Sequence, residues 1–221
     1  MRELLDDLVG ADSSGEQRVW AMRCAHALGL DGLGVSLRWG DELVWFSDEI
    51  SLRLADAQFA LGQGPGLWPD FETASFITVE MDGPGTSWPQ FAAEARELGV
   101  RVVCAWAVRT GAAWIGTLTG YRNTPGPLSD RQITDGLLVA DVMCGRLLAW
   151  HPGADGSQDG PRTAGVVDLH RVEVHQATGV LSHRLDIPID EALARLRARA
   201  FAESRPITEV AREVLHRHLP G

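Results

Sequence analysis

The chain has 221 residues, 45% of them hydrophobic and 23% charged, with a formal net charge of −10 at pH 7. That balance fits an ordinary folded protein with an adequate core, and no apolar run approaches the ~18 residues of a membrane-spanning helix. Every basic residue is arginine, and the absence of lysine excludes both a Walker-type phosphate loop and a pyridoxal phosphate Schiff base.

Asp6 and Asp7 stand where a signal peptide would be apolar, so the chain is expected to be cytoplasmic and to have no membrane partner. Residues 16–29 read as a helix with Val19, Trp20, Ala21, Cys24, Ala27 and Leu28 on its apolar stripe. Gly32–Trp39 and Glu42–Phe46 read as strands joined at Gly40-Asp41. A helix over Ser51–Ala60 leads into the Gly-rich turn Gly62–Gly66, which fits a tight turn better than an anion cradle. Phe76–Val79 is a short strand, and Ser87 reads as the cap of a helix over Trp88–Leu98 that has Pro89 in its first turn. Val100–Val108 and Ala113–Tyr121 alternate about Thr110-Gly111 as a hairpin. Ser129 then caps a long helix reaching Trp150.

Composition changes at residue 151. Residues 151–165 form a Gly/Pro/Asp linker with nothing to bury, and all eight tryptophans precede it. The expected domains are therefore 1–150, then the linker 151–165, then 166–221. The two domains differ in charge: residues 1–165 carry −10, while residues 166–221 are neutral, with 8 Arg against 8 acidic residues and five histidines. The last segment reads as three helices, Val167–Arg184, Ile189–Ala202, and one with Pro206 in its first turn running to His218. A three-helix unit this small has a marginal core that docking or self-association would support.

Cys24, Cys104 and Cys144 have no C-x-x-C pairing and read as buried apolar residues. His216 and His218, at i and i+2, face apart, and the histidines do not form a metal site by spacing. Only His26 lies in the body of the first domain as an axial haem ligand would need to, Cys104 sits mid-strand where a bilin would need an exposed thiol, and no cofactor is expected.

Ala177/Gly179/Leu181, Asp190/Glu191/Ala192, Leu196/Arg197/Ala200 and Ile207/Val210/Ala211 resemble the ANTAR domain, the RNA-binding module of bacterial antiterminators. The chain departs from that pattern at Thr178, where Lys is common, at Leu193, where an aromatic is common, and at Ser204, where Asn is common. The segments LGQGPGLWPDF, SWPQFAAEARELGVR and AWIGTLTGYR, with the order of elements around them, are similar to GAF domains. The resemblance implies an α+β GAF-like sensor domain, an antiparallel sheet flanked by helices, followed by an all-α three-helix ANTAR domain.

It further implies hairpin RNA in a transcript leader as partner, a homodimer, and an unknown small-molecule or protein signal at the GAF domain. The implied RNA-binding residues are Ala177, Gly179, Arg184, Arg195, Arg197, Arg199, Arg205 and Arg212, since guanidinium groups stack on bases and bridge phosphates. The competing reading of these arginines is surface pairing with Glu191, Glu203, Glu209 and Glu213, and that of Ala177 and Gly179 is close helix packing. Arg197 falls beside the buried face, with RNA or an ion pair to Glu191 or Glu213 as its alternatives. Self-association is expected through the helix at 129–150, with Leu137 and Leu147 at the contact, and the first helix of the C-terminal segment is a second candidate for it.

Three other functions compete with the antiterminator. One is a signalling protein whose C-terminal helices bind a protein partner. Another is a DNA-binding helix-turn-helix regulator, which the joint at Leu185–Pro188 does not favour. The last is an enzyme, for which no nucleophile–base pair stands out.

Overall fold

The alternation in Val102–Thr110 places a strand at the centre of the structure. In the computed structural model, which describes residues 14–37, 43–67, 74–83, 87–149, 171–203 and 205–218, this segment is β4 of a five-stranded sheet. The strands are β1 (Gly32–Leu37), β2 (Leu43–Phe46), β3 (Phe76–Glu80), β4 (Val102–Thr110) and β5 (Ala113–Arg122), in the order β2-β1-β5-β4-β3. Every neighbouring pair is antiparallel. The period of two sends Val102, Cys104, Trp106 and Val108 to one side of the sheet, while Val103 joins the core on the other. The β4–β5 turn uses Gly111 at φ +57°, a conformation that glycine adopts without penalty.

Two helices cover each face. Helices α1 (Ser14–Ala27) and α4 (Asp130–Ala149) pack on the Trp106 side, with Trp20, Cys24, Val139 and Met143 in that core. Helices α2 (Glu49–Leu61) and α3 (Pro89–Glu97) cover the other face through Leu54, Phe91 and Ala95. Ser129 caps α4 as expected: its hydroxyl accepts the Gln132 amide at 3.4 Å and its own amide donates to Gln132 Oε1 at 2.9 Å, the reciprocal capping box. Ser87 does not cap α3. Trp88 holds the cap position with no side-chain bond, and Pro89 starts the helix with its own φ preset.

Burial corrects two other expectations. The stripe of α1 is Gln17, Trp20, Ala21, Cys24, Ala25 and, just beyond the helix, Leu28, a clean i, i+3, i+4 series. Val19 is 57% exposed and Ala27 is exposed too, because both lie off that series. Leu147 is buried in the core, whereas Leu137, Leu138 and Leu148 are the exposed apolar residues of α4. All three cysteines are buried, and burial pushes the thiols of Cys24 and Cys104 up to about 12, which keeps them unreactive.

Helix α2 is anchored at its N-terminus by Asp48, which accepts from the Ser51 amide at 2.9 Å and from the Tyr121 hydroxyl of β5 at 3.1 Å. Burial, together with that placement beside a carboxylate, raises the Tyr121 pKa. At the other end Gly62, at φ +61°, closes the helix, and Gln58 turns back so that its Oε1 accepts the Gly66 amide at 2.7 Å. The Gly-rich turn thus spends that amide internally. Between α2 and the sheet, lined by Ser51, Gln58, Thr119 and Tyr121 among others, only about 10 Å³ is left open.

The C-terminal helices are α5 (Val172–Leu185), α6 (Ile189–Ala202) and α7 (Ile207–His218). Asp186 turns the chain between α5 and α6 at φ +52°, and the Ser182 hydroxyl donates to Ile187 O at 2.7 Å. Val174, Ala177, Leu196, Ala200, Val210, Ala211 and Val214 form their core. One further residue of that core comes from α2 of the first domain: Phe59, 1% exposed. The proposed linker 151–165, the turn at Gly40-Asp41, residues 167–170 of the first C-terminal helix, and Ser204 lie outside the described residues.

Candidate nucleic-acid interface

Helix α6 begins with Asp190 and Glu191 and ends near Arg199, charges that complement its dipole. Its 3.6-residue period buries Ala192, Leu196 and Ala200 and leaves Arg195 and Arg199 outward. Arg195 pairs with Glu191 at 2.6 Å, both side chains about half exposed.

Arg199 and Arg205 are brought together by shared carboxylates. Arg199 bonds Glu203 and Glu213, each at 2.7 Å, and Arg205 bonds the same two residues, each at 2.8 Å. Arg217 reaches Glu213 at 2.7 Å as well. One carboxylate thus serves three guanidinium groups from α6, the α6–α7 joint and α7. Hydrogen bonds from Arg205 and then Arg199 bring the Glu213 pKa down to about 2, and the same partners lower that of Glu203.

A carboxylate with a lowered folded-state pKa stabilises the fold above its unfolded value and loses that contribution as pH falls through the folded value. The melting difference between wild type and Glu213→Gln is therefore expected to be full at pH 5 and to shrink towards pH 2. Circular dichroism melts across that window check it, and a difference independent of pH would contradict it.

The remaining expected RNA residues are spread over the domain. Arg212 is tied to α5 by Glu173 at 2.9 Å. Arg184 is exposed in the last turn of α5. Ala177 is fully buried in the helix core, where its small side chain serves packing rather than RNA approach. Gly179 is exposed, and a Cβ added there would meet nothing within 4 Å. Thr178, where the ANTAR pattern commonly has Lys, is buried at 3% exposure and donates its hydroxyl to Val174 O at 2.7 Å. Leu193 packs against the same core, half-buried.

Arg197 has an unexpected neighbour. Its guanidinium lies over the Phe59 ring at 4.9 Å, while Glu191 and Glu213 engage other arginines. Arg171, which the sequence reading did not single out, lies over the same ring at 4.1 Å and is 2% exposed. Its Nη2 donates at 3.0 Å to both Ala55 O and the Asp56 carboxylate. His175 meets Phe59 edge-on at 6.4 Å. Beside this contact runs a cleft of about 340 Å³ lined by Arg53, Asp56, Glu94, Arg171, Arg205 and Thr208 among others. No local pattern marks Phe59 or Arg171, since the bonds they support span as many as 116 positions of sequence.

Among the described residues, no cluster of three His, Cys, Asp or Glu is placed to hold a metal, and no helix is long and apolar enough to cross a membrane. No curated protein sequence matches the chain. Among solved structures it is similar to Escherichia coli SdiA, at 15% identity over 95% of this chain and 93% of that one, with a TM-score of 0.50. It is also similar to a domain of a two-component sensor histidine kinase protein from Sinorhizobium meliloti, at 18% identity over 58% of this chain and 86% of that one, TM-score 0.48. A third similarity is to the GAF3 domain of a Synechocystis protein in its photoproduct state, at 19% identity over 60% of this chain and 94% of that one, TM-score 0.46. Residues 169–215 match the family model of the ANTAR domain, a span that takes in α5, α6 and most of α7, and the chain therefore carries an ANTAR domain behind the five-stranded α+β domain.

Proposed function

We propose that this protein is a cytoplasmic, homodimeric RNA-binding regulator of transcription antitermination and not an enzyme. Its ANTAR helices bind hairpins in nascent transcripts so that an overlapping terminator cannot form. The GAF-like domain answers a small-molecule or protein signal. The observation that carries this reading is the ANTAR match over residues 169–215. The arginines around α6 and α7 support it. Arg195, Arg199, Arg205 and Arg212 are held by ion pairs at or near the surface, where phosphates can compete with the carboxylates.

The second reading, a protein-binding module without RNA recognition, is favoured by Ile189 and Phe201, 66% and 64% exposed on α6. Binding of the full chain to structured transcript leaders over a salt series separates the two. Antitermination requires a preference for hairpins and an affinity that falls steeply with salt, one power for roughly each phosphate neutralised. No affinity for any leader, with the chain folded, leaves the protein-binding reading standing.

A further inference from the structure

We propose that the α2 face bearing Asp56 and Phe59 is a docking surface for the ANTAR domain's own RNA-facing side, so that α2 and RNA compete for Arg197. The inference rests on the RNA reading and names how the same site is regulated.

Three observations converge on it. Phe59 belongs to a helix anchored on the sheet, yet its ring is buried among Val174, Ala177, Leu196 and Ala200 of the ANTAR helices. Arg171 and Arg197 both lie over that ring. A guanidinium over an aromatic face is the interaction by which arginine stacks on an unpaired RNA base. Asp56, one residue after the Ala55 carbonyl that Arg171 also binds, offers Arg171 a carboxylate as RNA would offer a phosphate. α2 therefore supplies the ring and the anion that a nucleotide would supply, on the domain expected to bind nucleotides. While Arg197 is over Phe59, that face of its guanidinium is not open to a base.

The contact is also built to open. Next to Phe59 the two domains leave the cleft of about 340 Å³, so the interface is only partly closed. Asp56 is half exposed at its side chain, so the carboxylate side of the pair faces solvent while Arg171 is 3% exposed. Because α2 also walls the small space over the sheet through Ser51, Leu54 and Gln58, a shift of α2 there reaches Phe59 along one rigid helix. A closed state that dominates lowers apparent RNA affinity by the fraction of molecules left open.

The experiment uses the full-length chain as wild type, Phe59→Ala and Asp56→Arg. The second variant sets a cation against Arg171 from an exposed position, and so tests the contact without touching a buried side chain of either domain. Each protein is titrated with a synthetic RNA of two short stem-loops, and amide hydrogen exchange is followed at residues 55–62 and 193–199. The expected result is that both variants exchange faster in both segments and bind the RNA roughly tenfold more tightly, and that RNA added to wild type raises exchange at 55–62. Faster exchange with RNA affinity equal to wild type overturns the inference and leaves RNA binding intact. Wild-type segments that already exchange as fast as those of the variants overturn it too, since α2 is then not docked. If none of the three proteins binds the RNA although exchange shows α2 released, the RNA reading itself falls, and the competition with it.

Discussion

Leu147→Glu is expected to unfold the α+β domain, whereas Leu138→Glu with Leu148→Glu leaves it folded and dissociates the proposed homodimer. The three leucines lie on one helix, α4, and differ in where it turns them. Leu147 is 8% exposed in the core with Met143 and Trp20. Truncating such a leucine typically costs about 2–5 kcal/mol, and a carboxylate without a partner in its place adds several more. That total is comparable with the whole stability of a domain, about 5–15 kcal/mol. Leu138 and Leu148 are 47% and 43% exposed, so glutamate there meets water in the monomer and an apolar neighbour only in a dimer. Losing two buried leucines from a contact, at about 1.5–3 kcal/mol each, should raise the dimer dissociation constant by 100-fold or more. Light scattering and near-ultraviolet dichroism of the tryptophans read the two effects. A wild-type chain that is monomeric at micromolar concentration, or a Leu147→Glu protein that melts like wild type, defeats the respective half.

The effect of Arg197→Ala on RNA affinity should depend on whether Phe59 is present. With Phe59→Ala already in place, the competing ring is gone, and removal of Arg197 should weaken RNA binding by tenfold or more, about 1.4 kcal/mol. In wild type the same substitution deletes an RNA contact and also loosens the docked state, because Arg197 lies over Phe59 at 4.9 Å. The two consequences oppose each other, so the net loss should be smaller. The two single variants and the double variant form a cycle whose coupling energy is expected to be clearly nonzero. The melting temperature should change little, since Arg197 is half-buried and outside the apolar core of the helices. Equal affinities with and without Arg197 in the Phe59→Ala background would take Arg197 out of the RNA site.

Much of the local structure was legible because local structure has a period. The helix expected over Ile189–Ala202 has those same bounds, set by Pro188 before it and a 3–4 spacing of Leu193, Leu196 and Ala200. The alternation around Thr110-Gly111 located the β4–β5 hairpin, and Ser129 located the start of α4. The sequence and the structure part where two adjacent helical faces both carry apolar residues. Val19 and Ala27 were placed on the α1 stripe and Leu147 at a dimer surface, and each differs from the true face by one position, about 100° of helix rotation. Arg197 was recognised as lying between core and solvent, and so it does, but its neighbour Phe59 belongs to another domain.

By itself the sequence determined the elements, the break between a tryptophan-rich α+β domain and a neutral helical one, and the set of arginines available to meet an anion. Periodicity, capping and composition are properties of neighbours along the chain, and they are complete before the chain folds. Which arginines share Glu213, that Thr178 and Ala177 turn inward, and that Arg171 and Arg197 close over Phe59 were decided only by tertiary structure. Those outcomes depend on how helices cross and domains dock, and for the arginines over Phe59 they join residues more than a hundred positions apart, which leaves no mark in the spacing of either segment.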